Sequence, residues 1–291
     1  MLNDPPPERQ KPHPLEREPV RSNETPEGQA PRQQVILHIP SVRPIATYTI
    51  IVINVAIFLI RALSPRLDSQ IYDWGANNAT AVLANGEIYR LVSSMFLHMG
   101  IFNQFGAYAL QYSAHLIFNM YALYAIGGQI ERLFGHVRFT LIYLLGGLGG
   151  SVLSAALGDA NAYSVGASGA VFAILAAEFV YLFQHRKLLG PRGRSQMQSL
   201  IFLAVINFSI GIVAGVGGAA VQFDNWAHFG GLLGGLALTW MIGPIFIVRR
   251  HPEHANELLG EDINPLKNRY WVLSVYVVAL MVILFVARSF T

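Results

Sequence analysis

The sequence of 291 residues contains no cysteine, which excludes disulfides, thiol nucleophiles and cysteine-ligated metals. Charged residues are also scarce, at 13% of the chain, and they are concentrated at the ends and in short loops. The net charge is only +3 and the basic residues fall in loops, so the sequence offers little for binding nucleic acid. Hydrophobic residues make up 53% of the chain and leave long uncharged runs, which indicates a multi-pass integral membrane protein.

These apolar runs predict an all-α polytopic membrane protein, because one membrane span needs about 20 residues. The Pro-rich range 1–44 predicts a disordered cytoplasmic tail, and 64–107 predicts a first loop that ends in a membrane-associated segment. A cytoplasmic linker, 249–269, is expected before a C-terminal seventh transmembrane helix in 270–291. Arg61, at the end of the first span, is expected to reach the membrane surface with its charged group. The predicted spans are 45–63, 107–130, 139–157, 168–184, 197–215, 226–248 and 270–287.

The charges of the loops predict how these spans are oriented. The loop after the fourth span carries Arg186, Lys187, Arg192 and Arg194 and no acidic residue, whereas the loops after the third and fifth spans carry no Lys or Arg. The N-terminus is therefore expected to be cytoplasmic, and the even-numbered spans run from outside to inside. The lack of cysteine, of a signal peptide and of a transit-like N-terminus favours a bacterial cytoplasmic membrane.

Four polar side chains fall near the outer starts of the even-numbered spans, namely His115, Asn119, Ser168 and His228. Polar groups inside a membrane are costly and are often functional. His115 and Asn119 are four residues apart on one helix face, where they also fit as hydrogen-bonding groups between packed helices. Ser168 also fits a tight helix entry, because intramembrane serines often bond back to their own helix.

His228 is harder to explain as a packing residue. Gly231 and Gly235, on the same helix, lie four residues apart and allow another helix to approach closely. If that helix is the fourth span, His228 comes within reach of Ser168, and a serine with a histidine base is an activated nucleophile. The free amides at the start of the fourth span, together with His115 and Asn119, are candidate donors to an oxyanion.

These residues resemble the motifs of the rhomboid family of intramembrane serine proteases, over roughly residues 89–235. The match is specific because several short motifs occur together, in one order and at one spacing. The Tyr89-Arg90 region resembles the family's membrane-lying first loop, and Glu131-Arg132 resembles its cytoplasmic-side structural contacts. The matching pieces are YRL at 89–91, MFLH at 95–98, HLIFNM at 115–120, Glu131-Arg132, Gly135, GASGA at 166–170, NWAH at 225–228 and the glycines that follow.

The resemblance implies a six-helix core, residues 45–248, with the seventh helix added. It implies that Ser168 is the nucleophile and His228 the general base, without a cofactor or a metal. His115, Asn119 and the backbone amide of Ser168 are implied to bind the oxyanion. The supporting positions are Phe172, which is implied to pack on the His228 ring, and Gly166, Gly169, Gly231 and Gly235.

The reaction implied by the resemblance is endopeptidase cleavage of transmembrane-anchored proteins in or near their membrane segment. The expected partners are those protein substrates and the membrane lipid. From the loop charges, the active site is expected to open to the extracytoplasmic side. The sequence departs from the family in two places. Residues 99–114 enlarge the first loop between His98 and His115, and the seventh span occurs in only part of the family.

Other classes of function fit parts of the same sequence less well. Seven spans and Glu178, deep in the fourth span, suggest a transporter or channel, but the polar groups cluster at one shallow level and no internal repeat is seen. Glu178 fits a hydrogen-bonded or neutral structural carboxyl better than a functional one. An inactive relative that binds transmembrane clients would usually have lost the serine or the histidine. A soluble hydrolase elbow would need glycine where Ala170 stands, and a metalloprotease would need His-Glu-x-x-His.

Overall fold

The structure, a computed structural model, describes residues 36–102, 105–216, 223–252 and 257–290. This part of the chain is predominantly helical, as the sequence predicts. The helices are α1 (Ile45–Arg61), α2 (Pro65–Gly75), α3 (Arg90–Ser93), α4 (Ser113–Ala122), α5 (Gly128–Leu157), α6 (Ser168–Gln184), α7 (Arg186–Val216), α8 (Asn225–Ile242) and α9 (Tyr270–Arg288).

Short strands also occur within the described ranges, and they join segments that are distant in the sequence. In one sheet the last part of the predicted tail pairs in parallel with the segment before α9. The segment before α9 also pairs antiparallel with the segment after α8. In the other sheet the segment after α2 pairs antiparallel with the segment before α6. The strands are β1 (Ile36–His38), β2 (Asn77–Asn78), β3 (Tyr163–Ser164), β4 (Phe246–Arg250) and β5 (Glu257–Asp262).

The ends of the predicted ranges differ from the structure where these strands form. Residues 1–35 of the predicted tail, 1–44, lie outside the described residues. The strand β1 occupies part of the rest of that range. The predicted linker, 249–269, contains β5 and includes the undescribed residues 253–256. The sixth predicted span extends to residue 248, but α8 ends at Ile242 because the following Gly243 precedes a proline and adopts an extended conformation.

The described residues contain three helical segments that are long and apolar enough to cross a membrane, and α1 and α6 are apolar but shorter. Large apolar side chains such as Phe202 on α7 and Phe285 on α9 point outward and are exposed, which suits contact with lipid. The count of six spans plus one stays a prediction. The three segments are Ser113–Leu157, Arg186–Val213 and Tyr270–Arg288.

Two of the long helices bend at a glycine with a positive φ angle. Gly135 in α5 has φ 79°, and Gly190 in α7 has φ 57° and is followed by Pro191. Residues 186–196, which the sequence analysis takes as a basic loop, therefore belong to α7 on both sides of its bend. Their basic side chains are exposed, as expected of a polar surface.

The centre of the bundle is built from α5, α6 and α8, which approach closely through glycines. A Cβ at Gly231 or Gly235 of α8 would overlap the backbone of α6 at Gly169 and Ala173. A Cβ at Gly230 would in turn overlap the carbonyl oxygen of Gly149 in α5. Gly231 and Gly235 thus bring α8 against α6, and Gly230 brings it against α5.

The first turn of α1 is bound by a carboxylate from α5. Glu131 accepts hydrogen bonds from the backbone amides of Ala46, at 2.8 Å, and Thr47, at 2.7 Å. These are among the amides that a helix leaves without an internal partner at its start. The amide of Val42 also donates to the carbonyl of Arg132 at 3.2 Å. The Glu131-Arg132 motif therefore joins α5 to the start of α1.

Arg61 was expected to extend its charged group to the membrane surface, but the side chain is buried within the protein, so that prediction is wrong. Its side chain is 2% exposed and forms an ion pair with Asp68 of α2, in which Nη2 lies 2.7 Å from Oδ1. Its Nη1 also donates to the carbonyl of His98 at 2.5 Å. Since a carboxylate and a carbonyl satisfy its donors inside the protein, the guanidinium does not need to reach water.

Candidate active site

Ser168 and His228 come together across the contact between α6 and α8. Ser168 is the first residue of α6, and His228 lies in the first turn of α8. The Nε2 atom of His228 is 3.0 Å from the Oγ atom of Ser168, a hydrogen-bond distance. The side chain of His228 is buried, at 5% exposure. Gly231, about one turn after His228, contacts Gly169, the residue after Ser168, so the glycines allow the short distance between the two side chains.

The imidazole of His228 is held by aromatic packing. Phe172, one turn below Ser168, stacks on the ring with centroids 4.5 Å apart and an angle of 16° between the planes. Phe208 of α7 meets the same ring edge-on at 6.3 Å. Among the described residues, the buried Nδ1 of His228 has no hydrogen-bond partner. Packing against Phe172 and Phe208 therefore sets the orientation of the ring. The resemblance implied the contact with Phe172 but not the contact with Phe208.

Asp224 fixes the first turn of α8, a role that the sequence analysis missed. Its Oδ1 accepts from the amide of Ala227 at 2.9 Å, and its carbonyl accepts from the amide of His228 at 3.1 Å. Its other carboxylate oxygen is hydrogen-bonded to the hydroxyl of Ser154 in α5. An aspartate immediately before an apolar helix is the usual signal of an N-cap, and it was available in the sequence.

The turn before Ser168 depends on Gly166. Its φ angle of 134° favours glycine, and an ideal Cβ there would lie 3.0 Å from Nε2 of His115 and 3.7 Å from Oγ of Ser168. The ring of His115 and the hydroxyl of Ser168 therefore border the same space, which only the absence of a side chain at Gly166 leaves open.

Asn119 is buried on α4, one turn after His115. Its Nδ2 donates to the carbonyl of His115 at 2.8 Å, so part of its amide bonds back to its own helix. A primary amide carries a second N–H, which this contact does not use.

His98 connects the first loop to the turn before Ser168. Its ring centroid is 5.2 Å from that of His115, and its Nε2 lies 3.5 Å from the amide nitrogen of Ala167. Burial, with the nearby His115 and Arg61, lowers the pKa of His98 to about 3, so the ring is neutral and Nε2 accepts the hydrogen bond. His98 belongs to the MFLH motif at 95–98, but nothing in the sequence around it indicates this role.

Glu178 lies away from these residues and faces α7. It is 4% exposed, and its carboxylate accepts a hydrogen bond from the side chain of Gln196. Ten residues of helix separate it from Ser168, a rise of about 15 Å. This contact fits the interpretation of Glu178 as a hydrogen-bonded structural carboxyl. The part of the chain that the structure describes contains no group of three or more His, Asp or Glu side chains placed to bind a metal ion.

The glycine contact beneath the Ser168–His228 pair leads to a first prediction. We expect Gly231→Ala to destabilise the protein by about 1–3 kcal/mol, because the added Cβ forces α6 and α8 apart. It should also slow any reaction that needs the 3.0 Å contact of Ser168 with His228. Thermal unfolding in detergent measures the first effect. Gly128→Ala is the matched control, since a Cβ there meets only Pro44, at an ordinary 3.8 Å. Equal melting temperatures for the two variants would contradict the prediction.

Comparison with known proteins assigns one family to the region that begins within the first loop and ends just after α8. The family model described as the Rhomboid domain matches residues 85–245. RHOMBOID-like protein 4 of Arabidopsis thaliana is 30% identical over 72% of this chain and 47% of its own length. Rhomboid protease GluP of Bacillus subtilis is 32% identical over 69% of this chain and 35% of its own length. Rhomboid protease AarA of Providencia stuartii is 28% identical over 66% of this chain and 70% of its own length. The chain spans less than half the length of the first two relatives.

Proposed function

Since the chain belongs to the rhomboid family and is an integral membrane protein, we propose that it is an intramembrane serine endopeptidase. Its substrates are transmembrane-anchored proteins, which it cleaves in or near their membrane segment. The observation that carries this proposal is the 3.0 Å contact between Nε2 of His228 and Oγ of Ser168. The names of two relatives, the rhomboid proteases GluP and AarA, support it.

In the proposed reaction, Ser168 Oγ attacks the scissile carbonyl carbon while Nε2 of His228 takes the hydroxyl proton. The tetrahedral intermediate collapses as His228 gives that proton to the leaving amine, which leaves an acyl group on Ser168. A water molecule then attacks the acyl carbon and loses a proton to His228. As the bond between the acyl carbon and Oγ breaks, His228 returns that proton to Ser168 Oγ and the new carboxyl end is released. His228 needs no carboxylate partner for this exchange, because Phe172 and Phe208 already orient its ring.

The negative oxygen of the intermediate needs donors that are in position before the reaction. The amide of Ser168 stands at the start of α6, where helix amides have no internal partner. We assign the other donors to the Nε2–H of His115 and the second side-chain N–H of Asn119. Gly166 keeps the space between His115 and Ser168 clear of a side chain.

The proposed topology follows from the loop charges and the family. The N-terminus is cytoplasmic, six spans in 45–248 form the protease core, and 270–291 adds a seventh. The Ser168–His228 pair then opens to the extracytoplasmic side, and a bacterial cytoplasmic membrane is the proposed location. A substrate must present an extended strand at this pair, so small or helix-breaking residues near its membrane surface favour cleavage.

The proposal is tested with the full chain in liposomes, mixed with a library of tagged single-span substrates. We expect cleavage of at least one substrate at a single peptide bond within or beside its span, identified by mass spectrometry of both products. Folded protein that cleaves no member of the library contradicts the proposal. Capture of a substrate without cleavage would indicate an inactive client-binding relative, and solute flux without cleavage would indicate a transporter.

A further inference from the structure

A buried ion pair stands where the enlarged first loop begins. Arg61 ends α1, and its Nε and Nη2 atoms lie 2.8 and 2.7 Å from Oδ1 of Asp68 in α2. The two side chains are 2% and 13% exposed. The remaining arm of the guanidinium, Nη1, donates to the carbonyl of His98 at 2.5 Å. One planar group thus joins α1, α2 and the residue from which the enlarged loop departs.

The same residue, His98, contacts the turn that carries the proposed nucleophile. Its Nε2 accepts from the amide of Ala167, and the amide of Gly166 donates to the carbonyl of Ser94 at 3.0 Å. The two amides before Ser168 are therefore both bound by the first loop. The ring of His98 also packs beside His115, at a centroid distance of 5.2 Å. A displacement of His98 would move the turn before Ser168 and the ring of His115 together.

From this chain of contacts we propose that Arg61 and Asp68 are positioning residues for the proposed oxyanion site. Asp68 forms the ion pair with the guanidinium, and the guanidinium donates to the backbone carbonyl of His98. The ring of His98 accepts from the amide of Ala167, in the peptide that precedes Ser168. The inference rests on the proposed function. It adds to the proposed site two residues, Arg61 and Asp68, that touch neither substrate nor reacting atoms.

The enlarged loop begins in direct contact with this ion pair. Residues 99–114 separate His98 from His115, and the described residues on the two sides of 103–104 contact each other. Ala109 donates to the carbonyl of Ile101 at 2.6 Å, and the Phe102 and Tyr108 rings lie 5.0 Å apart. Around Gly100 the backbone lies so close to Asp68 that an added Cβ would overlap the carboxylate. The ion pair therefore fixes the loop at the end that follows His98.

The first test replaces Arg61 by methionine, which keeps an apolar stem and removes every donor. We expect kcat for a cleaved substrate to fall by roughly 10²-fold with KM little changed, because misplacing a catalytic group by about 1 Å has that effect. The protein is the full chain in liposomes. Arg66→Met makes the same chemical change at an exposed position of α2 and is expected to keep the wild-type kcat.

The decisive variant replaces both members of the pair, Arg61→Met with Asp68→Leu. Replacing a buried ion pair by two apolar side chains is often neutral for stability, whereas removing one member is not. If the pair positions His98, the double variant regains the wild-type melting temperature while kcat stays low. If kcat recovers together with the melting temperature, the pair serves stability alone and the proposal is overturned.

A lysine variant keeps the test conclusive if the double variant does not fold. Arg61→Lys retains the charge beside Asp68, but a single ammonium lacks the fork that joins the carboxylate to the His98 carbonyl. We expect its kcat to lie between those of wild type and Arg61→Met, and a wild-type value would overturn the proposal. Wild-type protein that cleaves nothing would refute the proposed function instead, so the two failures are distinguishable.

Discussion

Ser168→Ala and His228→Ala are each expected to lower the cleavage rate of a transmembrane substrate by roughly 10⁴-fold or more, the scale observed when a serine hydrolase loses its nucleophile or base. The alanine at 168 removes the attacking oxygen. The alanine at 228 leaves the hydroxyl of Ser168 without the group that takes its proton at 3.0 Å. The measurement is the initial rate of product formation in liposomes, with thermal unfolding to confirm that each variant is folded.

The controls for this prediction use the second serine of the same stretch. Ser164 lies in β3, before the turn that leads to α6, and Ser164→Ala should retain the wild-type rate. Because Ser168 and His228 act as one unit, the double variant should be no slower than either single variant. Two reductions that multiply would mean that the residues act independently, against the proposed dyad.

Asn119→Ala is expected to lower kcat by about 10²–10³-fold, with a smaller change in KM. This is the usual effect of removing one side-chain donor from an oxyanion site, since the interaction is made chiefly in the transition state. The rate is measured at saturating substrate, so that a change in binding does not imitate a change in chemistry.

Asn54 provides a matched control for the effect of Asn119 on stability. Both asparagines are buried, and both donate from Nδ2 to the carbonyl four residues earlier, at 2.8 Å in each case. Asn54→Ala should therefore lower the melting temperature in the same way, without slowing the chemical step. If Asn119→Ala changes kcat no more than Asn54→Ala does, Asn119 is a packing residue.

Several helices could be predicted from the sequence because their signals are local. The fourth predicted span and α6 have the same bounds, 168–184, since small residues precede the helix and a basic stretch follows. Gly231 and Gly235 predict that another helix approaches α8 closely, because a four-residue glycine spacing describes a helix face directly, and the structure identifies that helix as α6. Counting spans predicts that Ser168 and His228 lie near the same side of the membrane, and their 3.0 Å contact is consistent with that prediction.

Other features could not be predicted because they depend on partners far away in the sequence. β1 pairs with β5 although most of the sequence lies between them. No local pattern in the Pro-rich tail or the linker indicates that pairing. Arg61 was expected at the membrane surface since a terminal arginine usually reaches water, and only the fold brings Asp68 and the His98 carbonyl to it. Phe208 was missed for the same reason, because its contact with His228 joins two helices.

The most direct test of the central claim is labelling with a fluorophosphonate probe, which reacts with an activated serine whatever the natural substrate is. Wild-type protein should be labelled at Ser168, as identified by mass spectrometry of the modified peptide. Ser164→Ala should be labelled equally, His228→Ala only weakly, and Ser168→Ala not at all. Labelling of Ser168→Ala at the wild-type level would contradict the assignment of Ser168 as the nucleophile.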